Sequence, residues 1–116
     1  MLGIGTDICA ITRIEALLQK DAPRLLARIL TPQERTEREW DAPSLARRWA
    51  AKEAVAKAFG QGIGAQVGFQ EIEVQHTPHG APTVHMHGTM AGAVVHLSVS
   101  DDAGTAIAFA IIEKLA

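Results

Sequence analysis

One cysteine, Cys9, in 116 residues excludes a disulfide framework within the chain. Lys and Arg number 11 against 13 Asp and Glu, a formal charge of −2, so no basic field points to nucleic acid or to an anionic membrane. No apolar run approaches the roughly 20 residues that a membrane span needs. The opening MLGIGTDICAITRIE is interrupted by Gly, Asp and Thr and has no basic stretch, so it does not read as a signal peptide. Internal repeats, low-complexity tracts, long linkers and a G-x-S-x-G nucleophile motif are also missing. These absences predict a cytoplasmic protein with no membrane span and no nucleic-acid partner.

What is present suits one small domain over residues 1–116: 47% of the residues are hydrophobic, enough for a packed core. The first strand is expected over Leu2 to Cys9. Thr12 and Glu15 have capping-box spacing and open a helix from Arg13 to about Lys20. Pro23 interrupts it, and a second helical piece follows from Arg24 to Leu30. Thr31-Pro32-Gln33-Glu34 joins an N-cap, a first-turn proline and a box-closing glutamate, starting a short helix that ends near Trp40. Asp41 or Ser44 opens the longest helix, which Gly60 stops after Phe59. Thereafter β-branched runs at Val67 to Gln75, Thr83 to His87, Val94 to Ser100 and Thr105 to Ile112 alternate with the turns PHGAP and SDDAG. Helices first and paired strands later predict an α+β fold, a largely antiparallel sheet packed against a long helix. The N-terminal strand should join that sheet or lie against it.

Within WAAKEAVAKAFGQGIG (residues 49–64), a turn of about 100° per residue puts Ala46, Trp49, Ala50, Ala56 and Lys57 on the same side as Glu53. Lys52 projects elsewhere. Glu53 thus lies in the stripe that should face the protein, where a bare carboxylate is costly. Three readings follow: an ion pair with Lys57 four residues on, which helical geometry favours, a hydrogen-bonded buried carboxylate, or a metal ligand. Asp7 stands near the end of an apolar strand whose Gly3 and Gly5 admit a close neighbour. It reads as a turn aspartate or, with Glu53, as half of a Mg²⁺ site.

GIGTDI has Ile8 where a dinucleotide fingerprint needs glycine, and GQGIG lacks the Gly-Lys-Ser/Thr of a P-loop. The latter reads first as a helix stop, its amides also able to cradle a phosphate. His85 and His87 share a strand face, yet no third ligand is specified, so the five histidines read as surface or turn residues.

Taken in order, GIGTDICAITRIE, RILTPQE, RRWAAKEAVAKAFGQGIG, FQEIEV, GAPTV and VVHLSVSDDAGTAIAFAIIE resemble the holo-acyl-carrier-protein synthases over nearly the whole chain. These form the small bacterial class of phosphopantetheinyl transferase. The resemblance implies transfer of 4′-phosphopantetheine from coenzyme A to a serine of apo acyl carrier protein, releasing adenosine 3′,5′-bisphosphate. It implies Asp7 and Glu53 as Mg²⁺ ligands, with Glu53 also able to orient a water that takes the serine proton. Lys57 and Arg48 become cations facing the phosphates of coenzyme A, and Gly60 begins the loop beside it. Arg13, Arg24 and Arg28 become docking residues for the acidic carrier. A homotrimer with shared active sites is also implied, with TAIAFAIIE a candidate contact. The family often has a histidine where this chain has Asp101, which reads here as a turn residue. The alternatives are a non-catalytic oligomeric module that binds coenzyme A or a carrier, and a phosphohydrolase using the same carboxylates.

Overall fold

The computed structural model describes residues 2–60, 63 and 67–115. Strand β1 (Gly3–Ala10) runs directly into helix α1 (Ile11–Ile29), followed by one turn of helix α2 (Pro32–Arg35) and the long α3 (Ala42–Ala58). A single 3-10 turn at Phe69–Glu71 leads into β2 (Ile72–His76) and β3 (Pro82–Met86), and the chain ends in β4 (Val94–Asp102) and β5 (Thr105–Lys114). The strands form a three-stranded sheet ordered β1-β5-β4 and a two-stranded β2-β3 sheet, antiparallel at every pairing. The fold is therefore α+β, and the N-terminal strand joins the sheet by pairing with β5.

Local chemistry explains the boundaries. Asp41 caps α3 with Ser44 closing the box, Thr31 and Glu34 do the same for α2, and Gly60 takes φ of +87° beyond the last turn of α3. The β4–β5 hairpin turns on Ala103 and Gly104, both left-handed at φ 50° and 84°, which matches the twist of the strands. Asp101 and Asp102 accordingly lie inside β4 rather than in the turn.

Several boundaries differ from expectation. Thr12 caps nothing: Ala10 is the N-cap, and the Ile11 amide donates instead to Gly104 O at 2.9 Å, so the neighbouring hairpin satisfies it. The sequence around Pro23 does not end α1 outright but bends it at Asp21, which is extended (φ −164°, ψ 85°). Its carboxylate accepts from the Arg24 amide at 3.2 Å and so caps residues 22–29 as a second helical segment. The third segment is shorter than predicted, because the Trp40 indole donates to Glu34 O at 3.2 Å and folds the chain back after one turn. The strand expected from Val67 starts at Ile72, since Glu71 Oε1 accepts from the Gly68 amide at 3.0 Å and tightens the preceding residues into a turn.

Helix α3 is buried on nearly all sides, which a single apolar stripe does not predict. Ala46, Ala50, Ala54 and Ala58 lie in the same core as Ala106, Ala108 and Ala110 of β5. Small residues let the backbones approach: a Cβ built on Gly5 would lie 2.0 Å from Ala54 O, and one on Gly3 equally close to Ala58 O. Gly5→Ala should therefore lower the urea midpoint of unfolding by the equivalent of about 1–3 kcal/mol or more, with the m-value unchanged. A midpoint equal to the parent's would mean that the helix can retreat from the strand at no cost.

Candidate active site

The glycine contact decides where Asp7 goes. Side chains alternate along β1, so Gly3, Gly5, Asp7 and Cys9 share the inner face while Ile4, Thr6 and Ile8 point outward. Asp7 thus meets α3 one pleat beyond Gly5. Lys57 Nζ donates to Asp7 Oδ1 at 2.8 Å, their side chains 49% and 16% exposed. The lysine bonds the strand rather than Glu53, so the i,i+4 pair favoured by helical geometry is not the one formed. The Asp7 hydrogen bond raises the Lys57 pKa.

Glu53 is half-buried, and no hydrogen bond or ion pair to it is found among the described residues. Burial pushes its carboxyl pKa up and the Asp7 charge pushes the same way, against weaker pulls from Lys57, Arg13 and Arg28. Strand and helix thus bring Asp7 and Glu53 into electrostatic contact, with Lys57 between strand and solvent. Cys9, farther along the same strand face, is buried and its thiol pKa is raised by that burial.

Arg13 and Arg28 are placed around Glu53 by an aromatic bracket. The Arg13 guanidinium lies 5.0 Å from the Trp49 ring centre, Trp49 and Phe69 are 5.3 Å apart, and Arg28 lies 5.9 Å from Phe69. Arg24 and Arg28 line a groove of about 470 Å³ with Leu17, Lys20, Asp21 and Leu25. The three arginines expected to dock a partner therefore sit along α1, two of them beside the catalytic candidate.

Arg48 stands apart from Lys57. Nine positions before Lys57, it points about 180° away and about 13 Å along the helix axis. It is buried, with Nη1 donating to Glu34 Oε2 at 2.9 Å and Nη2 to Glu37 Oε2 at 3.2 Å, and its guanidinium lies 4.9 Å from the Trp40 ring centre. It is not a free cation beside Lys57 but one wall of a separate cleft of about 590 Å³, shared with Arg38, Trp40, Arg47 and His76. Arg47 is the more exposed of the two and pairs with Asp101, so Asp101 orients a cleft arginine instead of capping the turn. The glycine loop after Gly60 has residues 61, 62 and 64 outside the described ones, and its phosphate-cradling reading lies there too.

The sequence reading passed over Lys52, placed on another side of the helix. It is fully buried, and Nζ donates to Glu34 Oε1 at 2.6 Å, Ile29 O at 2.7 Å and Phe69 O at 2.9 Å. Burial lowers its pKa to about 8 despite the Glu34 partner. The available signal was its neighbourhood, a lysine flanked by alanines that themselves had to be buried. All five histidines are exposed, and no cluster of three or more metal-ligating side chains occurs among the described residues.

The chain belongs to the 4′-phosphopantetheinyl transferase superfamily, whose model matches residues 3–110. Within it, the relatives are holo-[acyl-carrier-protein] synthases. The protein of that name from Methylobacterium sp. (strain 4-46) is 42% identical over 99% of this chain and 96% of its own. The Neisseria meningitidis synthase structure superimposes with a TM-score of 0.85 at 37% identity, covering 98% of this chain and 99% of that one. The Helicobacter pylori synthase, solved in complex with coenzyme A, gives 0.88 at 32% identity over 95% and 99%.

A raised carboxyl pKa has a stability consequence. Glu53 holds its proton more tightly when folded, so its contribution is favourable below the unfolded value of about 4.3 and is lost as pH rises through the folded pKa. Glu53→Gln should therefore raise the melting temperature of metal-free protein at pH 7 and have little effect near pH 4. A lower melting temperature at pH 7 would show that the ionised carboxylate stabilises the fold.

Proposed function

We propose that this chain transfers 4′-phosphopantetheine from coenzyme A to a serine of apo acyl carrier protein, releasing adenosine 3′,5′-bisphosphate. The observation that carries this reading is the meeting of Asp7, Glu53 and Lys57 across β1 and α3, in a chain whose relatives bear the synthase name. Asp7 and Glu53 fit Mg²⁺: both offer hard oxygen donors, and the half-buried Glu53 has no hydrogen-bond or ion-pair partner among the described residues. When bound there, the ion supplies positive charge against the diphosphate oxygens.

The residues of the chain do the rest. One Lys57 proton donor is held by Asp7, leaving two directed toward incoming phosphate, where the ammonium offsets charge building on the leaving bisphosphate. The serine oxygen forms a bond to the phosphorus of the phosphopantetheine arm as the bond to the bisphosphate oxygen breaks, and the serine proton passes to a water oriented by Glu53. Arg13, Arg24 and Arg28 take the acidic carrier on α1. The cleft of Arg38, Trp40, Arg47 and Arg48 suits the adenine and 3′-phosphate of coenzyme A, with Arg48 as its wall and Arg47 as its contact. Gly60 ends α3 beside Lys57 without a side chain in the way of the substrate.

The two phosphate-handling regions lie on opposite sides of α3, which suits a site shared between copies of the chain. The outer face of the β1-β5-β4 sheet exposes Ile4 (52%), Ile8 (65%), Ile107 (46%) and Phe109 (43%), a contiguous patch in register across β1 and β5. In this reading it closes a homotrimer in the cytoplasm. No helix among the described residues is long and apolar enough to cross a membrane.

Incubating protein, coenzyme A, Mg²⁺ and apo carrier should add one phosphopantetheine mass to the carrier. Asp7→Asn and Glu53→Gln should each reduce transfer by about 10²-fold or more while remaining folded. Coenzyme A cleavage without carrier would identify a phosphohydrolase, and binding without turnover after metal addition a non-catalytic module. Phe109→Asp should yield monomers by analytical ultracentrifugation with loss of transfer, whereas active trimers from this variant would place the interface elsewhere.

A further inference from the structure

The C-terminal end of α1 is held in an unusual way. A helix leaves its last four carbonyls without intrahelical partners. Here those are Ala27, Arg28, Ile29 and Leu30, because the Leu30 amide already closes on Leu26 O. Gln70 Nε2, with two N–H donors, reaches Leu30 O at 2.8 Å and Ala27 O at 2.9 Å, and shares one of them with Arg28 O at 3.3 Å. Lys52 Nζ takes the fourth, Ile29 O, at 2.7 Å. Two side chains from outside the helix thus hold three of the four carbonyls directly and touch the fourth through a shared hydrogen.

Lys52 is anchored in turn. Its three proton donors reach Ile29 O, Phe69 O and Glu34 Oε1, and Glu34 also accepts from the amides of Thr31 at 2.8 Å and Val74 at 2.9 Å. The residue is adjacent to Glu53 on α3, while Gln70 follows Phe69, whose ring lies under Arg28. At its other end, the segment 22–29 is jointed at the extended Asp21. The segment that carries Arg24 and Arg28 therefore has a bend at its start and a clamp at its finish, and the clamp is built on α3 next to the catalytic carboxylate.

We infer that Lys52 and Gln70 are positioning residues that set the second segment of α1, and with it Arg24 and Arg28, at a fixed distance from Glu53, so that a carrier docked on those arginines presents its serine to the site. This rests on the docking role given to α1 above. Burying an ion pair gives little net stability compared with apolar side chains of similar size, so the Lys52–Glu34 pair is better accounted for by the geometry that it imposes.

The test is steady-state kinetics of the Mg²⁺-loaded enzyme, varying carrier and coenzyme A separately. Gln70→Met keeps length and charge but removes the donors. It should raise the KM for carrier by about threefold to tenfold, leave the KM for coenzyme A within about twofold, and speed amide exchange in residues 22–30 but not in α3. A fold defect alone would lower the active fraction, hence kcat, and leave the carrier KM in place. Lys52→Met combined with Glu34→Gln removes the buried pair while Arg48 keeps Glu37 as its charge partner, and should show the same split if it stays folded by its melting curve. An unchanged carrier KM for Gln70→Met would overturn the inference. Arg28→Glu in the same assay separates the two ideas: if it raises the carrier KM while Gln70→Met does not, only the clamp fails. If Arg28→Glu has no effect, the docking role of α1 falls and takes the clamp with it.

Discussion

The backbone contact between β1 and α3 governs the rest of the molecule. Gly3 and Gly5 lie against the carbonyls of Ala58 and Ala54, where any side chain would collide. A strand this close to a helix delivers its next inward residue, Asp7, to the helix surface, and alternation along the strand allows no other residue to take that place. The alanines of α3 and β5 serve the same end by keeping helix and sheet near each other. Packing of the smallest side chains thus sets the distance between two charged ones.

Around that contact the polar groups divide into two systems on opposite sides of α3. On one side, Asp7, Glu53 and Lys57 are partly exposed, and Glu53 has no hydrogen-bond partner among the described residues. On the other, Glu34, Arg48 and Lys52 are buried and fully hydrogen-bonded, and no buried side-chain nitrogen or oxygen without a partner is found among the described residues. The saturated groups of the second system hold elements together.

Much of this was legible in the sequence, and for identifiable reasons. Caps at Thr31 and Asp41, the stop at Gly60 and the paired later strands follow from local rules, and the fold class followed from their order. The candidates Asp7 and Glu53 were legible through motif and helical angle. That Lys57 bonds Asp7 was not, because the choice between a partner four residues away and one across the fold is tertiary. That Arg48 rather than Arg47 is the buried one was not legible for a similar reason: adjacent arginines look alike in sequence, and only the position of Glu34 decides. Lys52 and Gln70 were missed because their partners are main-chain carbonyls, which carry no residue-specific signature.

The central strand β5 adds a constraint in time. Asp7 is held on a strand whose only ladder partner among the described residues is β5, and the Thr6 hydroxyl donates to Ala108 O across 102 residues. On the ribosome, β1 emerges well before β5 and stays unpaired with it until that strand has followed. Every such contact must close a long loop before it is rewarded, which places this topology among slower-folding small proteins. An apolar strand waiting without a partner is also open to wrong ones. The pairing of β1 with a strand so distant in sequence thus leaves β1 of the nascent chain vulnerable until β5 is made.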